Sequence, residues 1–384
     1  MHARSQSMLL IDNPGYTTEY FSLKEKRFLD ASHNVSIALL TPASFAAHSR
    51  NETLIPVHLN EYQPVLPDIY PIPPRTKWSY DRGTFTKLKK NIRLSDAVTF
   101  DTCLKNSHRL LKTAKGKIAI EISGGLDSSI VIGTLERLGF ETILIGTISP
   151  IYKFRTERHI QEIIGKKHKT VIWCESFSRQ FADLLETPDH FLPNFASLQH
   201  SVGTSTLTSI KEHGVKYVLQ GTAFDSMLVD AVGGNPDEMR WPTLQDNWLH
   251  DYTFAPHGMS YVDVAALSPI KQMLLSLRLG QGQDLQKWWA RTFFADLIPR
   301  ELSQYAYKAN FGPQWWDGLL ESQEQIEYIV ETAWKVTSIP EFKHFSIQRL
   351  FDDMNHGRGR AGFSLLSYAN WVHALQRAGR LDVQ

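Results

Sequence analysis

The residues best placed to do chemistry are Glu121–Ser129, which read EISGGLDSS. Gly124 and Gly125 permit a tight turn and let the backbone approach a phosphate oxygen closely. Ser123, Ser128 and Ser129 bring hydroxyl donors, and Asp127 brings a carboxylate of the kind that holds a Mg2+ bridging phosphates. A helix starting at this point would aim its unpaired amides and the positive end of its dipole at the same spot. Together these groups fit the binding of a polyphosphate. A Gly-Gly pair alone would be an ordinary polar turn; the complete string between a strand and a helix is far more specific.

The flanking elements are legible from periodicity. Lys117–Ile122 (KIAIEI) is an apolar, β-branched run that reads as a buried strand. Ile130, Val131, Thr134, Leu135 and Leu138 then share one helical face, with Gly139 as the stop. Strands follow at Thr142–Ile148, Thr170–Trp173 and Val215–Leu219. Helical segments marked by Ile160, Ile163 and Ile164, and by Leu198, Val202 and Leu207, lie between them. Strands alternating with helices imply an α/β fold, a parallel sheet with helices on both faces. Such sheets bind ligands at the carboxyl ends of their strands, where the Ser123–Ser129 loop would lie. Beyond about residue 240 the pattern becomes helical and tryptophan-rich, and no further strand is predicted. Before residue 100 there are short β-like runs (Val35–Leu40, Leu54–His58) and a proline-rich stretch, Pro64–Pro74. The expected organisation is a small β-rich N-terminal domain over 1–98 and the α/β domain with its helical end over 99–384.

The 384 residues include 42% hydrophobic and 21% charged side chains, a balance that excludes wholesale disorder. The formal net charge of +1 supplies no bulk attraction to nucleic acid or an anionic membrane. Cys103 and Cys174 form no CxxC pair, and the histidines show no HExxH pattern, so neither a disulfide framework nor a transition-metal site is expected. The N-terminal apolar run Met8–Ile11 is too short for a signal peptide, and no stretch is long enough to span a membrane. The expected location is the cytoplasm. Gly357–Gly362 (GRGRAG) fits GxGxxG on paper but follows a charged helical stretch, not a strand, so it is read as a loop. Trp288, Trp289, Trp315 and Trp316 could line a peptide groove or lie in a core.

The SGGLDSS string resembles the pyrophosphate loop of the ATP-pyrophosphatase (PP-loop, adenine nucleotide α-hydrolase) families, which break ATP between its α and β phosphates. Two later segments resemble the asparagine synthetases among them. Leu219–Asp225 (LQGTAFD) is similar to the glycine-containing turn that ends in a metal-binding Asp, although Thr222, Ala223 and Phe224 depart from the family's usual residues. Leu297–Trp316 (LIPRELSQYAYKANFGPQWW) resembles the segment whose lysine, here Lys308, contacts the α-phosphate and the charge developing in acyl transfer. The resemblance implies ATP and Mg2+ as cofactors, with Asp127 and Asp225 holding the metal. It implies catalytic roles for Lys308, Asp127 and Asp225. Nucleotide contacts would come from Ile122, Ser123, Gly124, Gly125, Asp127, Ser128, Ser129, Thr147, Gly221 and Thr222.

Asparagine synthetases carry a glutaminase domain whose catalytic cysteine is residue 2, whereas this chain begins Met1-His2 and Cys103 is internal. The stretch before residue 99 is also short for such a domain, so a truncated, glutaminase-like part without its cysteine is expected, and an amine other than glutamine-derived ammonia. Among relatives that lost glutaminase chemistry, the β-lactam synthetases place a catalytic tyrosine where this chain has Thr222. Trp288–Pro299 followed by Lys308 looks most like the lasso peptide cyclases, which adenylate an Asp or Glu side chain of a precursor peptide and close a macrolactam on its N-terminal amine. That likeness implies a precursor peptide substrate, a leader peptidase and a leader-binding partner, and no nucleic acid or membrane. The alternatives are an asparagine synthetase-like amidotransferase, a β-lactam synthetase-like ligase on a small molecule, or a non-catalytic partner subunit. A tRNA-modifying PP-loop enzyme is disfavoured by the near-neutral charge and isolated cysteines.

Overall fold

The computed structural model describes residues 8–13, 19–30, 33–53, 64–72, 76–81, 83–88, 117–147, 156–174, 181–221, 248–263, 287–304, 312–355 and 359–382. Its N-terminal part contains strands β1 (Leu9–Asn13), β2 (Glu19–Ser22), β3 (Arg27–Leu29) and β4 (Val35–Ser36), helix α1 (Pro42–Thr53), and strands β5 (Ile69–Ile72), β6 (Thr76–Asp81) and β7 (Thr84–Lys87). Two three-stranded antiparallel sheets, β1-β6-β7 and β3-β2-β5, supply Ile11, Trp78 and Phe85 from one and Phe21 and Ile72 from the other to a single apolar core. The run Val35–Leu40, expected as a strand, extends only through Ser36 and then turns into a 3-10 helix at Ile37–Leu39. The run at Leu54–His58 lies outside the described residues.

The centre of the molecule is a five-stranded parallel sheet of β8 (Lys117–Ile122), β9 (Thr142–Thr147), β10 (Val171–Cys174), β11 (Val215–Gln220) and β12 (Ser260–Asp263), in the order β10-β9-β8-β11-β12. Side chains alternate between its faces. Ile118, Ile120 and Ile122 meet helices α2 (Leu126–Arg137) and α3 (Thr156–Gly165) on one face. Ala119 lies on the other with Leu207 and Ile210 of α4 (His200–Ile210) and with Phe254 and Tyr261. Each isoleucine buried in this way contributes roughly 2 kcal/mol. The order reverses between β8 and β11, so the loops leaving these two strands flank the crevice where open α/β sheets bind ligands. The expected parallel sheet with helices on both faces is therefore the fold. β12, a four-residue edge strand, is an addition to the sequence-based reading.

The helical C-terminal part comprises α5 (Trp288–Phe293), α6 (Arg300–Gln304), α7 (Gly312–Glu321), α8 (Gln323–Thr337), α9 (Pro340–Lys343), α10 (Ile347–Asn355) and α11 (Gly359–Arg377), ending in β13 (Leu381–Asp382). Among the described residues, Leu29, Val35, Phe45 and Leu66 share a core with Ile326 and Ile329 of α8 and with Leu366 and Trp371 of α11, and β13 pairs in parallel with β4. No helix among the described residues is long and apolar enough to cross a membrane.

From Gly359 to Gly362 the chain is helical, not the expected loop, and Gly357 and Arg358 lie outside the described residues. Gly362 sits where α11 crosses Leu350 of α10. A Cβ there would lie 2.4 Å from Leu350 Cδ1, so this glycine serves helix packing. Trp288 is exposed, and Trp316 packs on Phe351 with ring centroids 3.8 Å apart.

Candidate active site

The strand–turn–helix at the crevice is built as its residue types require. β8 ends at Ile122, Gly124 turns the chain with φ 79°, and Gly125 is the N-cap of α2. The turn is closed by its own serines. Ser123 Oγ accepts from the Gly125 amide at 3.1 Å and lies 2.9 Å from Ser128 Oγ. Ser128 and Ser129 hydroxyls donate to the Gly125 carbonyl at 3.2 and 2.7 Å. These hydroxyls therefore build the loop, with the Ser128 and Ser129 side chains buried. No side chain caps α2. Its first-turn amides have no partner within the helix, and the dipole end faces the crevice. The helix stops where the sequence indicates, with Gly139 at φ 75° and its amide donating to the Glu136 carbonyl.

Gly221, at the exit of β11, is brought against this turn. A Cβ at that position would lie 3.0 Å from the Asp127 carbonyl oxygen and 3.2 Å from Val131 Cγ2. The two loops can approach only because the residue is glycine. Gly221→Ala should push β11 off the first turn of α2, with a stability loss of about 1–2 kcal/mol and a visibly weaker response to nucleotide in thermal denaturation. Unchanged stability and nucleotide response would show that the loops are not so tightly coupled.

Thr147 ends β9, where Gly146 pairs with Ile122 and Thr147 with Cys174, so its backbone lies at the same end of the sheet. The structure thus groups Ile122, Ser123, Gly124, Gly125, Asp127, Ser128, Ser129 and Gly221 around one turn, with Thr147 at a neighbouring strand end. Thr222, Asp225 and Lys308 lie outside the described residues.

One residue here had no sequence signal. Lys287 Nζ donates to both Asp127 carboxylate oxygens at 2.9 Å, and Lys287 is only 7% exposed. Its φ of 55° is left-handed, a conformation costing a non-glycine residue about 1–2 kcal/mol. The strain is held by the way α5 and the turn after it dock along α2. Gly133 packs on the Leu297 backbone, Arg137 pairs with Asp296 at 2.7 Å, and the buried Arg291 guanidinium donates to the Leu302 carbonyl. The lysine enters from 160 residues away along the chain, which no local motif announces.

The oxygen donors suit Mg2+, a hard cation that binds through one or two carboxylates together with substrate phosphates. Each Asp127 oxygen keeps lone-pair capacity beyond its bond to Lys287. No group of three metal-ligating side chains exists among the described residues.

The fold is thus an α/β protein in which a glycine-serine turn, a helix N-terminus and an Asp–Lys pair meet at the switch point of a parallel sheet, the place where open sheets bind ligands. The family model for asparagine synthase matches residues 99–370, and the chain belongs to that family. With that membership comes ATP-dependent, amide-forming ligase chemistry. No curated protein matches. Among solved structures, the NAD+ synthetase from Burkholderia pseudomallei aligns at 14% identity over 69% of this chain and 93% of that one, with a TM-score of 0.23.

Proposed function

We propose that the protein activates an Asp or Glu side chain of a precursor peptide by adenylylation and closes a macrolactam with the peptide's N-terminal amine. The observation that carries the ATP half of this reading is the Ser123–Ser129 turn at the switch point, faced by the Lys287–Asp127 pair. The peptide half is supported by the likeness of Trp288–Pro299 and Lys308 to lasso peptide cyclases and by Thr222 in place of the β-lactam synthetases' tyrosine. Residues 1–98 are the β-rich N-terminal domain in this reading, and 99–384 the synthetase domain. A leader peptidase and a leader-binding protein act before it, all in the cytoplasm.

A carboxylate is a poor electrophile without a leaving group. Its oxygen attacks the α-phosphorus of ATP, the bond to the β-phosphate bridging oxygen breaks, and pyrophosphate leaves. The amine then attacks the acyl carbon, AMP departs with the former carboxylate oxygen, and the amine gives up a proton. Tethering of the amine supplies much of the second step, since intramolecular partners act at high effective molarity. The Gly124–Gly125 turn and the α2 amides hold phosphate oxygens. Lys287 orients Asp127 and offers the phosphates a fixed cation at a site where charge shifts from Pα to the leaving group. Asp127 and, by the family resemblance, Asp225 would hold Mg2+, which would neutralise charge on the polyphosphate. The resemblance assigns Lys308 the role of a second cation for the α-phosphate.

Incubation with Mg-ATP and a leader-cleaved precursor peptide encoded beside the gene tests this. The expected product is the peptide lighter by one water, resistant to N-terminal sequencing. A linear peptide carrying a new amide from free ammonia would replace the cyclase reading with an amidotransferase.

A further inference from the structure

Glu121 is the penultimate residue of β8, two positions before Ser123, and shares the sheet face of Ala119. It is a partly buried carboxyl beside the turn at Ser123, and no cation contacts it among the described residues. Facing it from β12 is Tyr261, whose Oη lies 3.1 Å from Glu121 Oε2 and 2.9 Å from Gln220 Oε1 at the end of β11. From β10 the buried Cys174 thiol is close enough to feel its charge. Tyr261 is fixed by stacking on Phe254, centroids 4.7 Å apart and planes 6° from parallel.

A tyrosine hydroxyl has one proton, and here it meets two acceptor oxygens. Two patterns close the chain. In one, Glu121 is a neutral acid that donates to Tyr261, and Tyr261 donates to Gln220 Oε1. In the other, Tyr261 donates to an ionised Glu121, and the Gln220 amide turns over to donate its NH2 to Tyr261. Burial raises the Glu121 carboxyl to about 7, against a smaller opposing effect of the Tyr261 hydrogen bond, so both patterns are accessible near neutrality. A polyphosphate at the ends of β8 and β11 adds negative charge and favours the neutral one.

We propose that Glu121 is a positioning residue of the nucleotide site that takes up a proton as the polyphosphate binds, locking the Glu121–Tyr261–Gln220 chain and tying β8, β11 and β12 together beneath the loops at Ser123 and Gly221. This rests on the reading of Ser123–Ser129 as a nucleotide phosphate site. The sign follows from the raised value: as pH rises through about 7, Glu121 ionises in the free protein. Nucleotide binding must then return the proton, so affinity falls by up to about tenfold per pH unit.

The test is calorimetric titration of the full chain with Mg-ATP at pH 6.5 and 8.5, in two buffers of different ionisation enthalpy, for wild type and Glu121→Gln. Glutamine keeps the volume and mimics the neutral, donating form. Expected are weaker wild-type binding at pH 8.5 with net proton uptake, and a Glu121→Gln protein whose affinity changes little with pH and whose uptake is reduced. Tyr261→Phe removes the hydrogen bond that opposes the shift, so it should move the wild-type fall to higher pH, and it serves if Glu121→Gln does not fold. Parallel pH curves and equal proton uptake in wild type and variants would overturn the role of Glu121 while leaving the nucleotide site standing. No nucleotide binding by wild type at either pH would overturn the nucleotide reading and this inference with it.

Discussion

Lys287→Met should lower ATP-dependent turnover roughly hundredfold to a thousandfold, the usual consequence of removing one fixed donor from a site where charge develops. Methionine keeps an unbranched stem of similar length, so the packing of the α5 start is largely preserved. What is lost is the ammonium that now holds both Asp127 oxygens at 2.9 Å. Asp127 would remain at the first turn of α2, partly buried and without that ion pair, at a stability cost of about 1 kcal/mol. Steady-state pyrophosphate release and thermal denaturation separate the two effects. A large fall in rate with a small fall in stability is expected. Full activity in Lys287→Met would make the ion pair a structural latch with no part in phosphate chemistry.

Gly133→Ala should be the most damaging single-methyl change among the described residues of α2. A Cβ at Gly133 would sit 2.0 Å from the Leu297 carbonyl oxygen and 2.8 Å from its carbonyl carbon. Those are backbone atoms and cannot rotate away, so α2 and the turn after α5 must separate. Overpacking of this kind costs about 3 kcal/mol or more, well beyond the gain of up to about 1 kcal/mol from replacing glycine inside a helix. The same separation would draw Lys287 away from Asp127, so activity should fall with stability. Gly165→Ala is the matched control. Its new Cβ would meet Val171 at 3.4 Å, ordinary contact, and stability should change by less than about 1 kcal/mol. Equal denaturation midpoints for the two variants would contradict the close packing of α2 against Leu297.

Much of the sheet was legible because strands and helices of this region have distinct periods. KIAIEI and the face of Ile130, Val131 and Leu135 each state their element locally, and Gly139 marks the helix end by the left-handed φ it adopts. β12 was not legible, since four residues at a sheet edge carry too short a pattern to separate from a loop. GRGRAG reads as a loop in the sequence because it follows a charged stretch and not the strand that a dinucleotide-binding turn requires. What retains Gly362 in a helix is Leu350, twelve residues earlier, which only the packed structure reveals. The core uniting Leu29, Val35 and Phe45 with α8 and α11 has no local signature either. In the site, the turn from Ile122 to Ser129 could be read as a string, because phosphate binding by backbone demands contiguous small residues. Lys287 could not, because an ion pair with Asp127 depends on how α5 docks on α2 and leaves no trace in the residues around it.

Adenylylation at this site requires attack on the α-phosphate of ATP. Phosphorus NMR of the reaction with Mg-ATP and the precursor peptide reads it directly. AMP and pyrophosphate in equal amounts, formed only when the acceptor carboxylate is present, are predicted. ADP and inorganic phosphate would place the cleavage at the γ-phosphate and contradict adenylylation by this loop.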